Sequence, residues 1–424
     1  MRRVFSFFAA FLLSAAVLII GLLGAARIPR DAIHNQIKES AEYFAQYPQN
    51  FRHIVEGVDG SLRDQYADVN LLDIAYYIDS EHPVESIVWD YYYVSYSEDE
   101  YVMSLAEAVK TDPPANMEYL RYWHGSLMII RPLLAILNIE QIYIFNSIVL
   151  LALLALLVVL LVKNGFKTEA VCFLTAMAAV NIWFVPSCLE FTWMFLVMIA
   201  ASIVTVSLSV KGRYESLGFL FLVTGIVAAF FDFLTTETLT MLIPLLLLIR
   251  IRGRIREDRG FIIKNFLLWA CGFVFMWLLK WVLASVYLKM SVFPYIRDNA
   301  LFQLGLSDNQ AAYLLALEGV LRNLRTLAPF GYGRIGGIIF LAGVLLIIVI
   351  PVLKNRLMIR GIINISRIRV YLLLGLVPFA RYLALPFHTW HHYFFMYRAL
   401  ASSVMALCFI LLELVEIVPQ EARS

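Results

Sequence analysis

The chain has 424 residues, of which 61% are hydrophobic and only 16% charged, with a mean hydropathy of +0.76. A soluble domain carries about a quarter charged residues, so an ordinary soluble enzyme is excluded, and the short alternating segments of a membrane β-barrel are absent. A net charge of +2 says little about partners; the lipid bilayer is the expected one, nucleic acid is not, and the placement of charge says more.

Apolar runs of roughly twenty residues recur, long enough as helices to cross a hydrocarbon core about 30 Å thick. The expected fold class is all-α: a polytopic membrane protein of about ten helices with a large first loop outside the cytoplasm. The first run, 4–26, follows Arg2 and Arg3. It exceeds the 7–15 residues of a signal-peptide core, so it reads as an uncleaved span. A polar segment follows over 27–138, then spans at 139–162, 168–186, 190–210, 216–233, 238–250 and 263–288. An outward amphipathic stretch covers 289–334, and spans at 335–353, 370–387 and 395–415 close the chain. The sixth span is short and the ninth contains prolines.

Basic residues favour cytoplasmic loops. With Arg2 and Arg3 inside, the alternate loops carry Lys163/Lys167, Lys211/Arg213, the run Arg250–Lys264, and Lys354–Arg369. The segment 27–122 is richer in acid. Both termini are therefore expected in the cytoplasm and the long loop outside. Charges at membrane depth are costly and mark functional positions. Those expected near the outward side are Asp64, Asp68, Arg121, His124, Arg131, Asp232, Glu237, Lys280, Arg381, His388, His391, His392 and Arg398.

In the polar segment, Ile33, Ile37, Ala41 and Phe44 fall at helical spacing, which predicts an amphipathic helix over 31–51. A helix over 64–77 places Asp64 and Asp68 on one face. Each is either a solvated loop carboxylate or a general base. The string Trp89–Tyr93 suits a membrane interface. The apolar run 126–137 contains Arg131-Pro132 and is too short to span; it reads as re-entrant or interfacial.

Later strings leave alternatives open. Asp232, among three phenylalanines, either caps a turn with Thr235 and Thr236 or orients an arginine or a sugar hydroxyl. Lys280 either snorkels or meets a lipid-linked phosphate. His388, His391 and His392 lie near Arg398, whose planar fork suits a phosphate. The carboxylate of a His-Glu-x-x-His motif is missing, so phosphate or sugar contacts and satisfied interfacial histidines stand ahead of a metal. The four cysteines, Cys172, Cys188, Cys271 and Cys408, lack metal or redox spacing and read as small buried hydrophobes.

Together these residues resemble the C-type (GT-C) membrane glycosyltransferases. More narrowly, RYWHG (121–125), FFDFLT (230–235), WLLKW (277–281) and HTWHHYFFMYR (388–398) are similar to a group of bacterial membrane proteins associated with cell-surface polysaccharide synthesis. That group usually carries Asp-x-x-Thr-Asp where this chain has Ala67 before Asp68. The resemblance implies an inverting transfer of a sugar from a polyprenyl-phosphate donor to a glycan, lipid or protein acceptor of the cell envelope. It implies Asp68 as the base, with Asp64 second. Arg121, Lys280 and Arg398 would bind the donor phosphate. His124, Arg131, Asp232, Arg381, His388, His391 and His392 would lie around the substrate. The run 126–137 and the later spans would enclose the polyprenyl chain. Without a close Asp-x-Asp string in the first loop, a divalent cation is an optional cofactor. A transporter or flippase of a lipid-linked sugar is the rival reading, but it predicts repeats and paired broken helices, and neither is evident. A membrane O-acyltransferase would need a cytoplasmic or membrane-buried histidine as base, and the expected cytoplasmic loops contain none.

Overall fold

The computed structural model describes residues 2–95, 98–253, 259–304, 312–328, 330–333, 338, 357–359 and 364–417. Helices account for nearly all regular structure. Six among the described residues are long and apolar enough to cross a membrane: 4–26, 139–163, 189–210, 214–231, 259–288 and 393–414. These mark a membrane-embedded α-helical protein. The expected span at 335–353 lies outside the described residues.

The other expected spans differ in form. The helix α8 (Lys167–Ala179) stops short, and a 3₁₀ turn, Ile182–Ser187, replaces the rest of the run at 168–186. The helix α11 (Leu239–Arg252) has 14 residues, and each position from Leu239 to Ile249 is buried. It is enclosed by other helices, which explains how a short apolar run with an internal Pro244 is accommodated. The helix α15 (Ile365–Ala384) has 20 residues and begins five positions before the expected 370.

The helices run alternately between two poles. At one pole Arg250, near the end of α11, meets Glu169 at the start of α8 at 2.8 Å and Glu413 at 2.7 Å. Glu413 lies near the end of α18 (Ala401–Leu414) and also contacts Arg367 of α15 at 3.2 Å. Arg252 stacks over Tyr214 and Phe261, and Lys264 over Phe7. The basic side chains Arg250, Arg252, Lys264 and Arg367 therefore gather at one end of the bundle.

Two helices cross closely in the interior. A Cβ on Gly225 of α10 (Leu217–Phe231) would come 2.1 Å from the Trp269 carbonyl oxygen of α12 (Arg259–Leu288). A Cβ on Gly272 of α12 would come 2.3 Å from the Leu222 carbonyl oxygen of α10. Small residues facing in both directions allow this approach, a common way for membrane helices to pack without a hydrophobic driving force between them.

At the opposite pole the segment 27–122 forms a folded layer. Its helix α2 (Arg30–Ala45) buries Ile33, Ile37, Ala41 and Phe44, the four positions set by the spacing. A small hairpin pairs Phe51–His53 with Leu62–Asp64 and leads into α3 (Gln65–Tyr77), then α4 (Pro83–Trp89) and α5 (Ser104–Thr111). The short α6 (Leu127–Leu133) fits the expectation of a non-spanning element. The layer is bolted to the bundle through α7 (Ile139–Lys163), which starts on an Asn138/Gln141 capping box. The Ile139 N–H donates to Ser40 Oγ of α2 at 2.9 Å. Arg131, fully buried, donates to the carbonyls of Ala26, Ile28 and Ile78. These bonds join the end of α1 (Arg2–Ala26) to the end of α3.

Candidate functional site

Where the layer meets the helix ends lies a cavity of about 250 Å³. From the layer it is lined by Asp64, Tyr66, Asn70, Tyr92, Tyr119, Arg121, Tyr122 and His124. From the bundle side come Glu190, Phe233, Gln303, His388, His392 and Phe395. Five of the residues singled out in the sequence thus meet here: Asp64, Arg121, His124, His388 and His392.

The two aspartates of the first loop have separate roles. Asp64 is the N-cap of α3, accepting from the Ala67 N–H at 2.8 Å. A cap at the mouth of a helix satisfies an N–H that has no partner within the helix. Burial pushes the Asp64 carboxyl up to about 7, the Ala67 N–H opposes the shift, and the nearby Asp68 adds to it.

Asp68, one turn on, faces away from the cavity. Its Oδ1 accepts from the Leu189 N–H at 2.8 Å and is 3.5 Å from Cys188 Sγ, while its Oδ2 accepts a short bond from the Tyr143 hydroxyl. With both oxygens engaged and the residue fully buried, Asp68 fastens α3 to α7 and to the start of α9 (Leu189–Val210). Cys188, expected as a mere hydrophobe, is part of that fastening. Of the other cysteines, Cys172 is buried, Cys408 half-buried and Cys271 exposed.

The RYWHG string forms one wall. Trp123 Nε1 donates to the Met276 carbonyl of α12 at 2.9 Å. The Gly125 N–H donates to the Phe230 carbonyl at 3.1 Å, and a Cβ at Gly125 would sit 2.3 Å from that oxygen, so only glycine fits. His124 adopts a left-handed backbone, φ +46°. Its ring packs against Tyr119 and Phe233, its Nδ1 lies 3.0 Å from Asp90 Oδ2, and its Nε2 has no partner in the protein. Nδ1, like Nε2, meets no acceptor at hydrogen-bond geometry, so the Asp90 contact is one of proximity and charge. Arg121 stacks over Tyr119, donates to the Asn299 side chain on α13 (Phe293–Gln303), and leaves its Nε without a partner.

The FFDFLT string forms a tight turn. Asp232 accepts from the Thr235 N–H and hydroxyl, which is the capping alternative. Burial and the neighbouring Glu237 push its carboxyl up to about 8. Leu234 is left-handed, φ +64°, and its carbonyl accepts from Arg381 at 2.6 Å and contacts His388 Nε2 at 3.0 Å. Arg381 also forks onto Glu237, at 2.5 and 3.0 Å.

The chain from 386 to 400 is broken into α16 (Pro386–His391), α17 (Tyr393–Met396) and a 3₁₀ turn, so Arg398 is not two helical turns below His391 as expected. Burial holds His388 well below the usual imidazole range and His392 down to about 3. Burial thus disfavours the charged form of both rings. They suit hydroxyl groups, which accept and donate, rather than a phosphate. His391 stacks on Phe387 outside the lining.

Five more residues expected around the substrate are absent from the lining and are held by protein groups instead: Arg131, Asp232, Lys280, Arg381 and Arg398, although the Nε of Arg131 and of Arg398 has no partner. Lys280 neither snorkels nor faces the cavity; its Nζ donates to the carbonyls of Ile87 and Val88 and to Asp90 Oδ2. Arg398, buried over Phe191 and Tyr397, donates to the carbonyls of Phe394 and Gly60.

Sequence reasoning missed Glu190, whose Oε2 has no partner at the cavity. The signal was available: a charge at the start of the apolar run 190–210, at membrane depth. It also missed Asp90, which sat inside a string read for its aromatics. No group of three or more His, Cys, Asp or Glu side chains among the described residues is arranged to hold a metal ion.

No protein-family model matches the chain, and no curated protein or solved structure is found to be similar to it.

Proposed function

We propose that this protein is a membrane glycosyltransferase of GT-C type, with an extracytoplasmic active face and both termini cytoplasmic. It moves one sugar from a polyprenyl-phosphate donor to a cell-envelope acceptor with inversion. One observation carries the reading. A single small cavity, at the junction of the polar layer and the membrane helices, brings two carboxylates and one guanidinium together among tyrosines and histidines.

The chemistry of each group fits. A cavity of about 250 Å³ is below the roughly 300–1,000 Å³ of sites for drug-sized ligands, and suits one sugar residue rather than an oligosaccharide. Tyr66, Tyr92, Tyr119 and Tyr122 offer ring faces for sugar C–H groups and hydroxyls for sugar oxygens. Arg121 is the cation of the lining and binds the donor phosphate, stabilising it as it leaves. The base is Asp64 rather than Asp68, because Asp64 reaches the cavity and its raised carboxyl takes up a proton near neutral pH. Asp68 supports it from behind.

The test is a transfer assay in reconstituted lipid vesicles. Radiolabelled polyprenyl-phosphate sugars are offered to wild type, Asp64→Asn and Arg121→Ala. Release of free polyprenyl phosphate that requires both residues is the expected result. Labelled lipid crossing the bilayer with no donor consumed would replace this reading with a flippase.

A further inference from the structure

The geometry points to His124 as the acid that protonates the departing phosphate, positioned by Asp90, which Lys280 in turn anchors. The inference rests on the glycosyl-transfer reading and adds to it a second proton-transfer group and two positioning residues.

Three observations support it. The first is the contact itself. His124 Nδ1 and Lys280 Nζ each lie 3.0 Å from the same oxygen, Asp90 Oδ2, and all three residues are buried. A carboxylate beside Nδ1 sets which ring nitrogen faces the other way; here that is Nε2, unpartnered, on a residue lining the cavity.

The second is the backbone. Asp90 and His124 are both left-handed, at φ +51° and +46°. That of Asp90 is the left-handed cap that ends α4, its N–H bonded to the Ser86 carbonyl. That of His124 lies in no helix cap and turns the ring toward Asp90, and such a conformation costs a residue other than glycine of order 1–3 kcal/mol.

The third is the anchor. Lys280 reaches from α12 to the end of α4 and binds two carbonyls besides Asp90. This fixes the carboxylate against a membrane helix rather than on a loose loop. Arg121, three residues before His124, lines the same cavity, so the imidazole shares the phosphate end of the site.

The protons balance as follows. The bond from the anomeric carbon to the phosphate oxygen breaks with its electron pair on that oxygen. The acceptor oxygen forms the new bond to the anomeric carbon, and its proton goes to Asp64. His124 enters the step as the imidazolium, protonated on both ring nitrogens. Nδ1 keeps its proton toward Asp90 throughout, the Nε2 proton goes to the freed phosphate oxygen, and polyprenyl phosphate leaves as its monoanion. Exchange with solvent then returns one proton to His124 and takes one from Asp64.

The test uses the full chain in lipid vesicles. His124→Gly removes the ring without straining the backbone, because glycine accepts a positive φ. It is expected to slow transfer by about 10²–10³-fold, the range of general acid–base catalysis. Added imidazole is expected to restore at least about tenfold of that, with substituted imidazoles ranking by acidity. Asp90→Asn is expected to lower kcat more than it raises KM. In nitrogen NMR of histidine-labelled protein, His124 is expected to carry a proton on Nδ1 in wild type, and Asp90→Asn to lose that preference. If wild type transfers sugar but His124→Gly keeps its rate, or responds to no imidazole, the acid assignment falls and the transfer reading stands. If the nitrogen spectrum is the same with and without the Asp90 carboxylate, the positioning role falls. A wild type that consumes no donor overturns the transfer reading and this one together.

Discussion

Asp68 Oδ1 accepts the backbone N–H of Leu189 at 2.8 Å, across 121 positions of chain. The residue after Leu189 is Glu190, so the bond that closes α3 onto α9 also places a cavity carboxylate. Asp68 therefore shapes the site without lining it.

Asp68→Ala leaves the Leu189 N–H and the Tyr143 hydroxyl without this acceptor in a buried place. Each unsatisfied group costs about 1–3 kcal/mol. We expect a lowered thermal midpoint in detergent, measured by tryptophan fluorescence, and a loss of transfer that follows the loss of folded protein. A variant with unchanged midpoint and abolished transfer would return Asp68 to the role of base.

Asp64 carries the pH dependence. Its carboxyl is raised to about 7 by burial, and a base acts in its deprotonated form. The transfer rate is expected to rise as pH increases through about 7, the limb set by Asp64, and to fall at higher pH where the acid His124 loses its proton. Asp64→Asn is expected to lose about 10²–10⁴-fold of the rate without changing the thermal midpoint by more than the loss of one helix cap, about 1 kcal/mol. A rate independent of pH between 5 and 8 contradicts this assignment.

Arg121 is the cation expected to meet the donor phosphate. Arg121→Lys keeps the charge but loses the fork and the stacking on Tyr119, which are not interchangeable properties. A weaker affinity for polyprenyl phosphate, by about tenfold or about 1.4 kcal/mol, is expected in a displacement assay. Equal affinity in both proteins places the phosphate elsewhere.

The Gly225 contact tests the bundle. A side chain there meets the Trp269 carbonyl, and overpacking of this kind costs about 1–3 kcal/mol or more. Gly225→Leu is expected to separate α10 from α12 and to lower folded yield and thermal midpoint sharply, whereas Gly24→Leu, with open space around it, leaves both unchanged.

Much of the architecture was legible in the sequence because its signals are local. Apolar length gave the membrane helices, basic residues gave the pole where Arg250 and Arg367 meet Glu413, and helical spacing gave the buried face of α2. For α11 hydropathy alone cannot tell a helix surrounded by lipid from one surrounded by other helices, and its full burial shows the latter. For the site, the structure brings some of the singled-out residues, such as Asp64, Arg121 and His124, to one cavity and keeps others, such as Lys280 and Arg398, outside it. Lys280, Arg398, Arg131 and Arg381 stand out as charges among apolar residues, and that is all a sequence can register. Whether such a charge waits for a ligand or is already satisfied depends on carbonyls more than a hundred positions away, such as Ile87 for Lys280 and Gly60 for Arg398. The sequence by itself determined that this is a helical membrane protein with a polar layer rich in candidate residues. The tertiary structure alone decided that Asp64 rather than Asp68 meets the cavity, that Glu190 joins it, and that Asp90 stands behind His124. The physical reason is that burial and hydrogen bonding, which set a side chain's availability, arise from long-range packing.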